Sequence, residues 1–103
     1  MSRRKIPKIQ VRLGEHAEAR WIKRARRRPG ELANLIAMLL IDRLGAGLTV
    51  HHGRAMLPLS AQVLNLPEDL VACIELPDNF GVWRVVTFKP LAGVALQYNR
   101  LLR

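Results

Sequence analysis

Apolar and polar positions first alternate at Ile9, Val11 and Leu13, with Gln10 and Arg12 between them. That two-residue period predicts a half-buried strand. Gly14 breaks the pattern, and residues 15–28 then read as a helix. Ala17, Trp21 and Ala25 fall at i, i+4 and i+8, with Ile22 widening the apolar stripe, while Arg20, Lys23, Arg24 and Arg27 cover the opposite side. Pro29-Gly30 ends this helix, because the residue before a proline resists the α conformation. A second helix follows from about Glu31 to Leu44. Leu32, Leu35, Ile36, Leu39, Leu40 and Leu44 give it a wide apolar face, and Ala33, Ala37, Met38 and Ile41 make it apolar nearly all round. Such a helix needs cover from a sheet, and residues 31–44 offer a surface for a partner or a dimer.

Gly45-Ala46-Gly47 stops the second helix. Residues 45–69 read as loop, with Gly53, Pro58 and Pro67 as breakers and one short helical turn after Ser60. Three strands are expected after that, at Leu70–Leu76, Val82–Phe88 and Val94–Leu101. The five-residue connections between them contain Gly and suit antiparallel hairpins. The expected fold is α+β: one small antiparallel sheet with an N-terminal strand, a helical hairpin packed on one face and a C-terminal three-strand meander. With 103 residues the chain is expected to form a single domain, residues 1–8 being a frayed basic arm.

Charge changes this picture most. The net charge is +9, and residues 1–28 hold eleven of the 17 Lys/Arg against only Glu15 and Glu18. The remaining residues carry six basic and six acidic side chains and are neutral. Cations at a helix end complement its dipole, but eleven exceed what that role requires. The excess points to an acidic polymer, with Arg20, Lys23, Arg24, Arg27 and Arg28 as the expected nucleic-acid contacts. A narrow apolar stripe on the first helix suits core packing rather than insertion into a membrane surface. Half the residues are hydrophobic, which excludes a disordered tail. The longest apolar stretch, Leu35–Ile41, is too short to span a bilayer, and no apolar segment follows the basic start. A cytoplasmic protein without membrane association is expected. Cys73, alone and inside an apolar run, reads as a buried, inert thiol.

Candidate chemistry gathers on the expected strands. Alternation puts Val82, Arg84, Val86 and Phe88 on one face, and Val94, Leu96, Tyr98 and Arg100 on one face of the last strand. If the two faces coincide, Arg84, Tyr98 and Arg100 meet on the helix-free side of the sheet, within reach of Arg54. These residues are either ordinary strand-edge cations and a rim tyrosine, or a phosphate-binding groove. Arginine's planar fork fits phosphate oxygens, and a tyrosine ring stacks on a base. RNA brings its own 2′-hydroxyl nucleophile, so orientation and charge stabilisation at Arg54, Arg84 and Arg100 are enough for cleavage when Tyr98 or a histidine moves protons. His51-His52 and His16 have no Cys or paired carboxylate nearby in sequence, so no metal site and no cofactor is expected. Gly-rich phosphate loops, HExxH, GxSxG and CxxC are absent.

The stretch Glu75-Leu76-Pro77 followed by Val82-Trp83-Arg84-Val85-Val86 resembles the RelE/ParE superfamily of small toxins from toxin–antitoxin systems. Many members carry a similar hairpin whose arginine faces the RNA site. The segment Arg43-Leu44 through Gly53, Arg54, Leu57 and Pro58 is similar to that family's loop after its second helix, and Val94–Arg100 to its last core strand. The resemblance implies a RelE-like fold and a ribosome-associated, metal-independent mRNA endonuclease with a cognate antitoxin protein. It also implies that Arg84 and Arg100 are the strand cations and Arg54 a loop cation of the site. Phe88 stands where many members have a hydroxyl-bearing aromatic, and Tyr98 precedes Arg100 rather than following it. Two alternatives therefore stand beside the toxin reading: a non-catalytic RNA-, DNA- or ribosome-binding protein on the same scaffold, and a ParE-like gyrase inhibitor.

Overall fold

A computed structural model describes residues 9–94 of the chain, apart from the His51 side chain. The described residues form an α+β fold with one mixed, open sheet of five strands. Its strands are β1 (Gln10–Leu13), β2 (Thr49–His51), β3 (Arg54–Leu59), β4 (Leu70–Glu75) and β5 (Val82–Pro90). The helices are α1 (Glu15–Ala25), α2 (Leu32–Ala46), α3 (Ala61–Leu64) and a last turn, α4, over residues 91–94. Strand order is β1-β5-β4-β3-β2.

Two features of this sheet depart from the expected one. β1 pairs in parallel with β5, Gln10 opposite Val82 and Leu13 opposite Val85, so the sheet is mixed rather than antiparallel. The antiparallel meander comprises β2 to β5 and begins inside the segment read as loop. His52 and Gly53 both adopt positive φ, 51° and 73°, as a tight two-residue hairpin between β2 and β3 requires. Pro58 sits within β3 without breaking it. Proline has no N–H to donate, and β2 pairs with β3 only as far as Met56, so no bond on that side is forfeited. The third expected strand, Val94–Leu101, begins instead in helix at Val94, and the rest of it lies outside the described residues, as does the basic arm 1–8.

The core explains the side-chain pattern. Ala17, Trp21 and Ala25 of α1 join Leu32, Ile36 and Leu40 of α2 in one buried cluster with Ala55, Leu57, Leu59, Leu70, Ala72, Ile74, Trp83, Val85 and Phe88. Both helices thus cover the same face of the sheet. Ile22, placed in the stripe by its sequence, is instead 49% exposed. A second, smaller cluster forms on the opposite face, where Leu91 and Val94 lie against Met56, Val71 and Cys73. α1 is shorter than the expected 15–28. Arg26 caps it in the left-handed conformation at φ 57°, its N–H donating to the Ile22 carbonyl at 3.0 Å. Trp21 Nε1 then holds the turning chain through the Arg28 carbonyl at 3.3 Å. α2 buries only a narrow strip, and Met38 and Leu44 remain exposed despite the helix's apolar composition. No helix among the described residues is long and apolar enough to cross a membrane.

β5 changes face part-way along. Ile74 stands opposite Val85 but Cys73 opposite Thr87, so Val86 is an extra residue, a bulge. Trp83 and Val85 face the helices before it, and Phe88 does so after it. The expected grouping of Arg84 with Phe88 is therefore wrong: the bulge puts Phe88 in the core, 5.2 Å from the Trp21 ring, and leaves Arg84 on the opposite side. Truncating Phe88 to Ala removes a fully buried ring and its aromatic partner contact. Urea denaturation should show Phe88→Ala less stable by about 3–5 kcal/mol, whereas Phe80→Ala, at an exposed loop position, should leave the midpoint nearly unchanged.

Candidate nucleic-acid interface

Strand register decides which cations meet. On the face away from α1 and α2, Arg54 of β3 is paired with Glu75 of β4, Glu75 with Arg84 of β5, and Arg84 with Arg12 of β1. The four residues form one row across the sheet, with strands about 4.8 Å apart. Arg54 and Arg84 are thus brought to the same face, as expected, with a carboxylate between them. Two arginines directly opposed, Arg12 and Arg84, repel each other, which favours an anion beside them. All four side chains are exposed. Tyr98 and Arg100, the other two expected members of the groove, lie outside the described residues.

Asp78, in the β4–β5 connection, faces the same cations. Its carboxylate accepts hydrogen bonds from the N–H groups of Phe80, at 2.8 Å, and Val82, at 3.1 Å. These two bonds, with smaller contributions from Arg84 and Arg12, hold its carboxyl below the ordinary aspartate range. Its own N–H also donates to the Val82 carbonyl, closing the turn that presents Arg84. Cys73, behind the row, is buried; burial pushes its thiol up, while Lys89 and Arg54 pull partly the other way. This is an environment for a neutral, unreactive thiol.

A second basic surface lies between α1 and the end of β5. β1 pairs with β5 only as far as Val85, so the stretch from Thr87 to Pro90 has no strand beside it on that side among the described residues. α1 runs along this gap, anchored by Gly14, whose N–H donates to the Val85 carbonyl at 3.4 Å. The cleft between them has a volume of about 660 Å3. His16, Arg20 and Arg24 line it from successive turns of α1, with Thr87 and Lys89 of β5 and Gly93 and Val94 of α4 also in its lining. The i, i+4, i+8 spacing of His16, Arg20 and Arg24 was visible in the sequence, immediately beside the Ala17/Trp21/Ala25 stripe. Their approach to Lys89 was not, because it depends on where β5 ends.

The expected nucleic-acid contacts of the N-terminal segment separate into three groups. Arg20 and Arg24 line the cleft. Lys23 and Arg28 are exposed away from it, Arg28 beyond the helix end. Arg27 is committed to the fold: its guanidinium donates to the carbonyls of Leu64, at 3.2 Å, and Asn65, tying the α1–α2 connection to the end of α3. Arg24 is also engaged in part, with Nη1 lying 3.9 Å from Glu68 Oε1, while its buried Nε has no partner among the described residues. No group of three or more His, Cys, Asp or Glu among the described residues could hold a metal ion.

A depressed carboxyl pKa contributes stability above the unfolded value, and that contribution is lost as pH falls through the folded one. NMR titration in acid should therefore show the Phe80 and Val82 amides moving together, with a midpoint below the ordinary aspartate range. Asp78→Ala should remove that transition and weaken acid resistance of the β4–β5 turn. Comparison with protein-family models, with curated proteins and with solved structures yields no match to this chain.

Proposed function

We propose that this protein binds RNA, gripping phosphates between α1 and β5 and along the row of cations on the open sheet face. The observation that carries the reading is the cleft lined by Arg20, Arg24 and Lys89, with no carboxylate among the described residues of its lining. Arginine forks match phosphate oxygens, and beyond Val85 no strand among the described residues pairs with this edge of β5, which leaves room for a nucleic-acid strand to approach. The cationic residues on the open face, Arg12, Arg54 and Arg84, extend the surface around Glu75. Lys89 belongs to both regions: it lines the cleft and also acts electrostatically on Cys73 beneath the open face. Lys23 and Arg28 add to the attraction at longer range. The ribosome is one RNA-rich partner such a surface suits.

A second reading, a RelE-like, metal-independent ribonuclease with an antitoxin partner, is favoured by one observation. Arg54 and Arg84 share a face and flank Glu75, two charge-stabilising groups beside one carboxylate. In that cleavage the 2′-oxygen would bond to phosphorus as the P–O5′ bond breaks, leaving a cyclic phosphate. The arginines would stabilise charge on the phosphoryl oxygens, Glu75 would accept the 2′-hydroxyl proton, and water would protonate the leaving 5′-oxygen. The exposed Met38 and Leu44 on α2 suit a protein partner or a second copy under either reading.

Fluorescence anisotropy with a single-stranded RNA should show affinity falling with KCl, the log–log slope being about −0.7 for each phosphate contact. Arg20→Ala should weaken binding across unrelated sequences and make that slope shallower by about 1. A slope near zero, or Arg20→Ala and Lys89→Ala both binding as the parent does, would overturn the RNA-binding reading. For the ribonuclease reading, induced expression in bacteria should arrest growth and fragment mRNA, and Arg84→Ala should relieve both. Normal growth with the soluble parent chain present would sink that second reading alone.

A further inference from the structure

The cleft between α1 and β5 has a shape and charge that point beyond general attraction to a polyanion. We infer that it is a terminal-phosphate site: it takes the phosphate monoester at the end of a nucleic-acid strand in preference to the diesters within it. This rests on the RNA-binding reading for the polymer, though not for the phosphate itself.

Three observations carry the inference. First, the cleft concentrates charge. Arg20, Arg24 and Lys89 are cations around one space, with His16 and Thr87 also in its lining. A diester brings one negative charge to that space, whereas a phosphate monoester brings about 1.5 to 2 at neutral pH and a further oxygen to accept hydrogen bonds. Second, the buried Nε of Arg24 has no partner among the described residues. That Nε is closed to solvent, so a phosphate oxygen in the cleft meets the Nη groups of Arg24, of which Nη1 has a long 3.9 Å approach to Glu68. Third, the cationic track stops at Arg24 among the described residues. Glu68 lies beside Arg24, and Gly93 and Val94 of α4 also line the cleft, α4 being held by the Leu91 N–H donating to the Asp69 carbonyl at 2.9 Å. A strand continuing past Arg24 would carry its next phosphate toward a carboxylate; a strand that ends there would not. The volume of about 660 Å3 lies within the roughly 300–1,000 Å3 usual for a built ligand site.

The α1 spacing adds specificity. Arg20 and Arg24 stand one helical turn apart, about 6 Å, so both can grip one phosphate group from the same side. Lys89, on the rigid end of β5, approaches from the other side as a point charge. Glu68 competes with the ligand for Arg24 at a long 3.9 Å, an interaction weak enough to exchange.

The test uses the full chain and three RNA decamers of one sequence with an internal fluorophore, bearing a 5′-phosphate, a 3′-phosphate or neither. A strand with a terminal phosphate should bind about tenfold tighter than the strand with none, and the end that gains identifies the source of the monoester. Lys89→Gln should bring the ratio to near one, and Glu68→Gln should tighten binding of all three strands while lowering the ratio, because a continuing strand then meets no carboxylate. Equal affinity for all three strands would overturn the terminal-phosphate site while leaving the RNA-binding reading intact. If no strand binds, that reading fails, and inorganic phosphate decides the cleft by itself. Saturable shifts of the Thr87, Lys89 and Gly93 amides, lost in Lys89→Gln, support the site; their absence overturns it.

Discussion

The bulge at Val86 is the constraint on which the arrangement of this molecule depends. One extra residue between the pairs Ile74/Val85 and Cys73/Thr87 reverses the facing of everything downstream on β5. Phe88 enters the main core against Trp21, fixing α1 over the sheet. Lys89 is exposed beside α1 rather than buried beneath it. Without the bulge, a strict two-residue period would direct Thr87 and Lys89 toward the helices and leave Phe88 in water. A buried lysine without a partner costs several kcal/mol, and an unburied phenylalanine forfeits about 2 kcal/mol or more. Both penalties select the same register, so the bulge is strongly specified although no single residue announces it.

The same interruption separates the two basic surfaces and links them. Upstream of it, Arg84 stands in the row with Arg12, Glu75 and Arg54 on the open face. Downstream, where β1 has ended, the edge of β5 at Thr87 and Lys89 borders the cleft beside α1. β1 is only four residues long, and its shortness matters as much as its pairing. A longer β1 would pair with the edge of β5 beyond Val85, which no strand among the described residues occupies, and close the cleft. Gly14 ends the strand and begins α1 within one residue, with its N–H still bonded to Val85. The chain therefore turns from strand to helix beside the bulge, and His16, Arg20 and Arg24 follow along the exposed edge.

Charge within the N-terminal segment turns out to be divided between structure and surface. Arg27 braces α3 through two carbonyls, and the backbone of Arg28 receives the Trp21 indole. Arg24 lies between roles, in part paired with Glu68 and in part sequestered without an acceptor. Asp78 and Glu75 temper the arginines of the open face, which keeps that surface from being a simple cationic patch. Among the described residues, the remaining cations of this segment are Arg12, Arg20, Lys23, Arg26 and Arg28, with Lys89 of β5 beside Arg20 in the cleft lining.

Periodicity by itself determined β1, the existence of both long helices, β4 and the first half of β5, because each buries one face and the pattern of buried positions is local. Ala17, Trp21 and Ala25 were legible as core for that reason, and Arg20 and Arg24 as their cationic neighbours. Segregation of the net charge into the first 28 residues was likewise a property of the sequence alone. Pairing was not local, and only the tertiary structure decided it. The parallel alignment of β1 with β5, separated by about 70 residues of chain, brings Arg12 to Arg84. The β2–β3 hairpin was hidden because Gly53 and Pro58 look like breakers until β2 is seen to end before the proline. The end of α1 at Ala25 follows from Arg26 adopting a left-handed conformation that its side chain does not advertise. A one-residue bulge leaves composition unchanged and shifts every later side chain to the other face, so the meeting of Lys89 with Arg20 and Arg24 could be decided only by the packed sheet.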